Sequence, residues 1–213
     1  MVLDSQRKNF DPVLSSIAKR LKKINPNTLS WFSLVFAFIA GSFFFISSPE
    51  NESISYYLLF AVLFVFLNGF FDAIDGKVAK LTNKASKRGD FLDHALDRFA
   101  DVFIVGGIAL SPWLVNHSYI GLLAIVAMLL TSYMGTQAQA IGYKRNYSGL
   151  LGRADRLVLL MFIPVAQHFL IDSQYELILE LNLIEWMLLY FAVMGVLTAI
   201  QRFYSTLKWF KEK

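Results

Sequence analysis

The sequence predicts an all-α integral membrane protein with six transmembrane helices, preceded by an amphipathic helix lying in the membrane interface. Three observations predict it. Of the 213 residues, 56% are hydrophobic, and the mean hydropathy is +0.49. Several apolar runs approach the roughly 20 residues a helix needs to cross about 30 Å of hydrocarbon. Basic residues gather in alternate connections between those runs, as in a chain threaded back and forth through a bilayer.

The elements follow in order. Asp11-Pro12 reads as a helix start, with an acidic cap and proline at the first helical position. Phe10, Val13, Leu14, Ile17, Leu21 and Ile24 then recur at helical spacing, while Lys19, Arg20, Lys22 and Lys23 gather on the polar side. This segment, residues 1–27, is expected to end at Pro26 and to lie with its apolar side in lipid. Residues 28–213 form the membrane domain, with spans at Thr28–Ser48, Ser53–Ala73, Leu92–Val115, Tyr119–Ala140, Leu157–Ile171 and Leu183–Ile200. Gly41, Gly106, Gly107 and Gly195 read as close helix contacts.

Six Lys or Arg precede the first span, five lie between Lys77 and Arg88, four between Lys144 and Arg156, and four follow the sixth span. The intervening connections carry Glu50, Glu52, Asp172, Glu176 and Glu180 and no basic residue. The positive-inside rule then places both termini on the cytoplasmic side of a cell membrane, expected to be prokaryotic. The formal charge of +4 therefore reads as attraction to anionic headgroups and phosphorylated substrates, not nucleic acid. The first 27 residues do not read as a cleavable signal.

The acids carry the chemistry. Asp72, Asp75, Asp93 and Asp97 stand at the ends of apolar segments, where an ionised carboxylate is costly. On a helix, Asp72, Asp75 and Ala79 share one face, as do Gly89, Asp93 and Asp97. Two antiparallel helices joined by Leu81–Arg88 bring those faces together at the cytoplasmic boundary. Four converging carboxylates call for cations, and oxygen donors in a chain without cysteine suit magnesium or manganese better than zinc. Gly76, Gly89 and the small Ala79 let a bulky anion approach the backbone. The motif needs no help from His94, which reads as a packing or surface residue. Asp90 reads as a solvated first-turn acid, and Asp101 as a partner for Arg98 or a neighbouring helix.

Asp72-x-x-Asp75-Gly76-x-x-Ala79-Lys80, eight residues, then Gly89-x-x-x-Asp93-x-x-x-Asp97 resembles the signature of the CDP-alcohol phosphotransferases. One position departs from it. Lys80 stands where the family has arginine, keeping the charge but losing the planar fork. The resemblance implies transfer of a phosphatidyl-type group from a CDP-activated lipid to an alcohol, with CMP leaving. It further implies two metal ions held by Asp72, Asp75, Asp93 and Asp97, with Asp97 as general base. The CDP moiety would be held by Asp72, Asp75, Gly76, Ala79, Lys80 and Gly89. A homodimer is also implied.

A second region narrows the acceptor. Ser132-Tyr133 and Arg153-x-x-Arg156 resemble the inositol-phosphate-using branch, while Gly135 and Gln137 stand where that branch has basic residues. Arg153 and Arg156 share a helix face near its N-terminus, which favours phosphate. Gln137, Gln139 and Lys144 complete the expected acceptor site, with inositol phosphate placed narrowly ahead of glycerol phosphate. A competing class is a transporter or channel that uses the carboxylates to carry protons or divalent cations.

Overall fold

The computed structural model describes residues 7–50, 55–143, 146, 148–171 and 178–211, with side chains from Asp11 onward. Seven α-helices are present among them: α1 Arg7–Arg20, α2 Pro26–Ile46, α3 Tyr57–Leu81, α4 Lys87–Ala109, α5 Ser118–Ala140, α6 Arg153–Leu170 and α7 Leu183–Lys211. A short 3₁₀ turn, Pro112–Leu114, follows α4. By length and composition, α2, α3, α5 and α7 are apolar enough to cross a membrane. Six such helices were expected. The remaining two are more polar: α4 carries Lys87, Arg88, Asp90, Asp93, Asp97, Arg98 and Asp101, and α6 opens with Arg153, Asp155 and Arg156.

Helix boundaries depart from expectation where caps compete with periodicity. Pro26 does not end the first helix but opens α2, with the Asn25 side chain accepting from Asn27 N at 3.0 Å. Proline is favoured there because its missing donor would be unpaired anyway. Pro12 lies inside α1, and Asp11 is no cap: its carboxylate pairs with Lys77 of α3. Lys77 also donates to Ser15 Oγ at 3.2 Å. Leu14, Ile17, Ala18 and Leu21 pack against Leu29, Ile74 and Val78, so much of the apolar side of α1 faces protein instead of lipid. Helix α3 continues past Ala73 through the whole first half of the acidic motif. Helix α4 starts at Lys87, capped by Ser86 Oγ accepting from Gly89 N at 3.1 Å.

Helix α2 is the hub, packed against α3 and α4; α5 pairs with α7, α4 with α5, and α6 rests on α3 and α7. The α2–α4 crossing is made of backbone. A Cβ on Gly41 would lie 2.2 Å from Phe103 O, and one on Gly107 would lie 2.1 Å from Gly41 O. Gly195 similarly abuts Ala127, whereas Gly106 faces open space, so its close-contact reading fails. The main core joins Ala37, Phe44, Leu58, Ile104, Met128 and Phe191 across these helices.

At the end of the bundle opposite the acids, a polar network closes the helices. Trp113 Nε1 donates to Ser47 Oγ at 2.9 Å, and Asn182 Nδ2 donates to Trp113 O at 2.9 Å. Asn182 and Glu185 cap one another through their backbone N–H groups, and Glu185 Oε1 meets His117 Nδ1 at 2.7 Å.

Candidate active site

The two halves of the acidic motif meet as their helical spacing requires. Asp72 and Asp75 project from α3, Asp93 and Asp97 from α4. One carboxylate oxygen from each of Asp72, Asp75 and Asp93 lies within 4.8 Å of the other two. Asp93, His94 and Asp97 form a second such group. The donors are oxygens with a single imidazole, a set that fits a hard divalent cation. Asp75 is buried and accepts from Ser30 Oγ of α2, which ties the hub helix to the centre. A Cβ on Gly76 would meet no protein atom within 4 Å, so packing does not account for that glycine.

Helix α6 supplies the countercharge. Arg153 Nη1 lies 2.7 Å from Asp72 Oδ2 and 2.6 Å from Asp97 Oδ1, bridging α3 and α4. One turn further along α6, buried Arg156 pairs with Asp101 Oδ2 at 3.2 Å. Arg98 Nη2 sits between Asp97 at 3.4 Å and Asp101 at 3.7 Å. The buried Nε atoms of Arg98, Arg153 and Arg156 have no hydrogen-bond partner in the described structure.

Other expected residues fall into place unevenly. Gly76, Ala79 and Lys80 continue along α3, and Gly89 lies in the first turn of α4 with Asn27 Oδ1 3.6 Å from where its Cβ would be. Gln137 and Gln139 are exposed at the end of α5, and no described hydrogen bond or ion pair ties them to the carboxylates. Lys144 lies outside the described residues. Asp101 pairs with Arg98, as the sequence suggested, and also with Arg156. Exposed Asp90 meets His94 Nε2 at 3.2 Å. His94 is partly buried, with Nδ1 3.4 Å from its sequence neighbour Asp93, and it belongs to the group with Asp93 and Asp97. Ser30 escaped the sequence reading, since nothing local links it to an acid 45 positions away.

Carboxylates that converge at the ends of apolar helices, with spacing that could hold a divalent cation, mark the candidate site of a helical membrane protein. The chain belongs to the CDP-alcohol phosphatidyltransferase family, whose model matches residues 23–200. It is 29% identical over 161 residues to the archaetidylinositol phosphate synthase of Pyrococcus horikoshii, covering 75% of this chain and 80% of that protein. It is 30% identical over 158 residues to the phosphatidylinositol phosphate synthase of Streptomyces avermitilis, covering 70% and 61%. In fold it is similar to the Mycobacterium tuberculosis phosphatidylinositol phosphate synthase crystallised with CDP-DAG. That match has a TM-score of 0.74 and 20% identity over 92% of this chain and 94% of that one. A crystal structure of the same protein with manganese and citrate also gives 0.74, over 91% and 88%. Membership in a transferase family gives the transporter reading no support.

Proposed function

We propose that this protein transfers a phosphatidyl-type group from a CDP-activated lipid to a phosphorylated polyol, releasing CMP, with inositol phosphate the acceptor ahead of glycerol phosphate. The observation that carries this reading is the junction at Arg153, where a guanidinium suited to an acceptor phosphate touches carboxylates of both motif helices. The synthases named above share this acceptor class.

Asp72, Asp75, Asp93 and Asp97 would hold magnesium or manganese, two ions as the family resemblance implies. When bound, such cations neutralise the pyrophosphate and the charge of the departing CMP. The remaining work belongs to the chain. Ser30 orients Asp75 among the ligands. Gly76, Ala79, Lys80 and Gly89 leave room for the CDP moiety beside the backbone, and Lys80 offers it a point charge. Asp97 accepts the acceptor hydroxyl proton as the acceptor oxygen bonds to the lipid-side phosphorus. The bond from that phosphorus to the bridging oxygen breaks, and CMP leaves with the electron pair. Arg153 orients the acceptor phosphate beside Asp97, and Arg156 supports it from its buried pair with Asp101. Gln137, Gln139 and Lys144 complete the proposed acceptor pocket.

In this reading α2 to α7 are six crossings, the whole of residues 28–213 is one membrane domain, and residues 1–27 line the interface. The basic connections place the termini and the site on the cytoplasmic side, and the protein works as a homodimer. The test is CMP release by purified protein from ester- and ether-linked CDP-lipids with magnesium or manganese. Inositol phosphate, glycerol phosphate, serine and free inositol are compared as acceptors. Release with inositol phosphate alone is expected. Release with glycerol phosphate instead would reassign the acceptor, and a folded, metal-binding protein that makes no CMP with any of them would overturn the reading.

A further inference from the structure

Helix α7 contributes no side chain to the acidic cluster, yet it grips the segment that leads into Arg153. Thr198 is fully buried, and its Oγ1 accepts from Leu150 N at 3.2 Å and Leu151 N at 3.3 Å while donating to Met194 O at 2.7 Å. Gly149, at φ +142°, brings the chain so close that a Cβ there would lie 2.1 Å from Thr198 Cγ2. Few side chains adopt that backbone conformation, so both shape and dihedral call for glycine. One turn on, Arg202 Nε donates to Ser148 O at 2.8 Å and Nη1 to Thr131 O at 2.6 Å. Ser205 Oγ accepts from Asn146 Nδ2 at 2.6 Å.

The segment then enters α6 at once. Gly152 N donates to Asp155 Oδ2 at 3.0 Å, closing the first turn of the helix that begins with Arg153. From Thr198 to Arg153 the path is therefore two backbone amides, one buried leucine and one helix cap. A backbone amide buried away from water must find an acceptor, and the Thr198 hydroxyl serves the buried Leu151 amide together with that of the more exposed Leu150. We infer that Thr198, with Gly149, is a positioning residue that sets Arg153 against the carboxylates. This rests on the reading of Arg153 as the contact for the acceptor phosphate.

Thr198→Val keeps the shape and removes the acceptor oxygen, and Thr198→Ser keeps the oxygen. In full-length protein in detergent, Thr198→Val is expected to raise the KM for inositol phosphate about 10-fold, a loss comparable to one strong hydrogen bond. The KM for CDP-lipid and the Mn²⁺ affinity stay within about twofold, and Thr198→Ser restores the acceptor KM. Thr198→Ala, which removes the same acceptor oxygen without adding bulk, gives the same pattern if Thr198→Val fails to fold. A readout without turnover separates this inference from the functional reading. Hydrogen exchange at Leu150, Leu151 and the first turn of α6 speeds up in Thr198→Val, while α3 and α4 are unchanged. Unaltered exchange there would overturn the inference whatever the enzyme's acceptor. So would acceptor and donor KM values that rise together, or an acceptor KM equal to that of the unsubstituted protein.

Discussion

Both ends of the bundle bury polar groups, but they satisfy them differently. At the end holding Trp113, Asn182 and Glu185, the groups of the network answer one another: Glu185 receives His117 on one oxygen and Asn182 N on the other. At the acidic end, Asp97 touches both Arg153 and Arg98, Asp101 touches both Arg98 and Arg156, and three arginine Nε atoms have no partner. Beside the first network Gln167 accepts from Leu183 N and its Nε2 also has no partner among the described residues, so the contrast lies in the shared charges: Asp97 and Asp101 are each contacted by two arginines. In the proposed function the first end is a clamp and the second the reaction centre.

Substitutions at the two ends should break differently, and the largest effect on turnover is expected at Asp97. Asp97→Asn is expected to lower CMP formation by about 10³-fold, the range for loss of a general base, without lowering the melting temperature. CMP release and a thermal melt check both halves. Ser30→Ala comes next. It leaves Asp75 in place but unoriented, and Mn²⁺ affinity measured by titration is expected to fall by about 10-fold. If affinity is unchanged, the hub helix plays no part in the centre.

At the opposite end the order of effects reverses. Glu185→Ala strips His117 and the Asn182 amide of their acceptor and is expected to destabilise the protein by about 2 kcal/mol, with turnover per folded molecule unchanged. A loss of turnover there would show that the two ends are coupled and would collapse the distinction between them. Ser47→Ala is the mildest. Removing the acceptor for Trp113 Nε1 is expected to cost about 1 kcal/mol, read as a small fall in melting temperature.

How much of this was legible in the sequence depends on sequence distance. The acidic faces were readable because helical periodicity alone puts Asp72 with Asp75 and Asp93 with Asp97, and a short connection makes their helices neighbours. Arg153 was readable as a candidate phosphate-binding side chain, but its seat between Asp72 and Asp97 depends on packing α6 against α3. Ser30 and Thr198 left no local trace, since one serves an acid on another helix and the other serves backbone amides. Pro26 misled because proline marks both the end of one helix and the first turn of the next. Asp11-Pro12 misled as a helix start because the helix already runs from Arg7, and Asp11, inside it, is engaged by a lysine 66 positions on instead of capping. The count of apolar helices among the described residues is four because α4 and α6 carry several charged residues over their first turns.

The Gly41–Gly107 crossing has no adjustable part. Contacts between side chains can be retuned one methyl at a time, but a seam of bare main chain either fits or is lost. The geometry relating α2 to α4, and with it Ser30 to Asp93 and Asp97, is thereby shielded from gradual drift. The hold on α6 runs through hydroxyls and a guanidinium, each of which substitution can alter in small steps. In the proposed function, substitutions along α6 and α7 would then retune the acceptor side while the geometry between α2 and α4 stayed fixed.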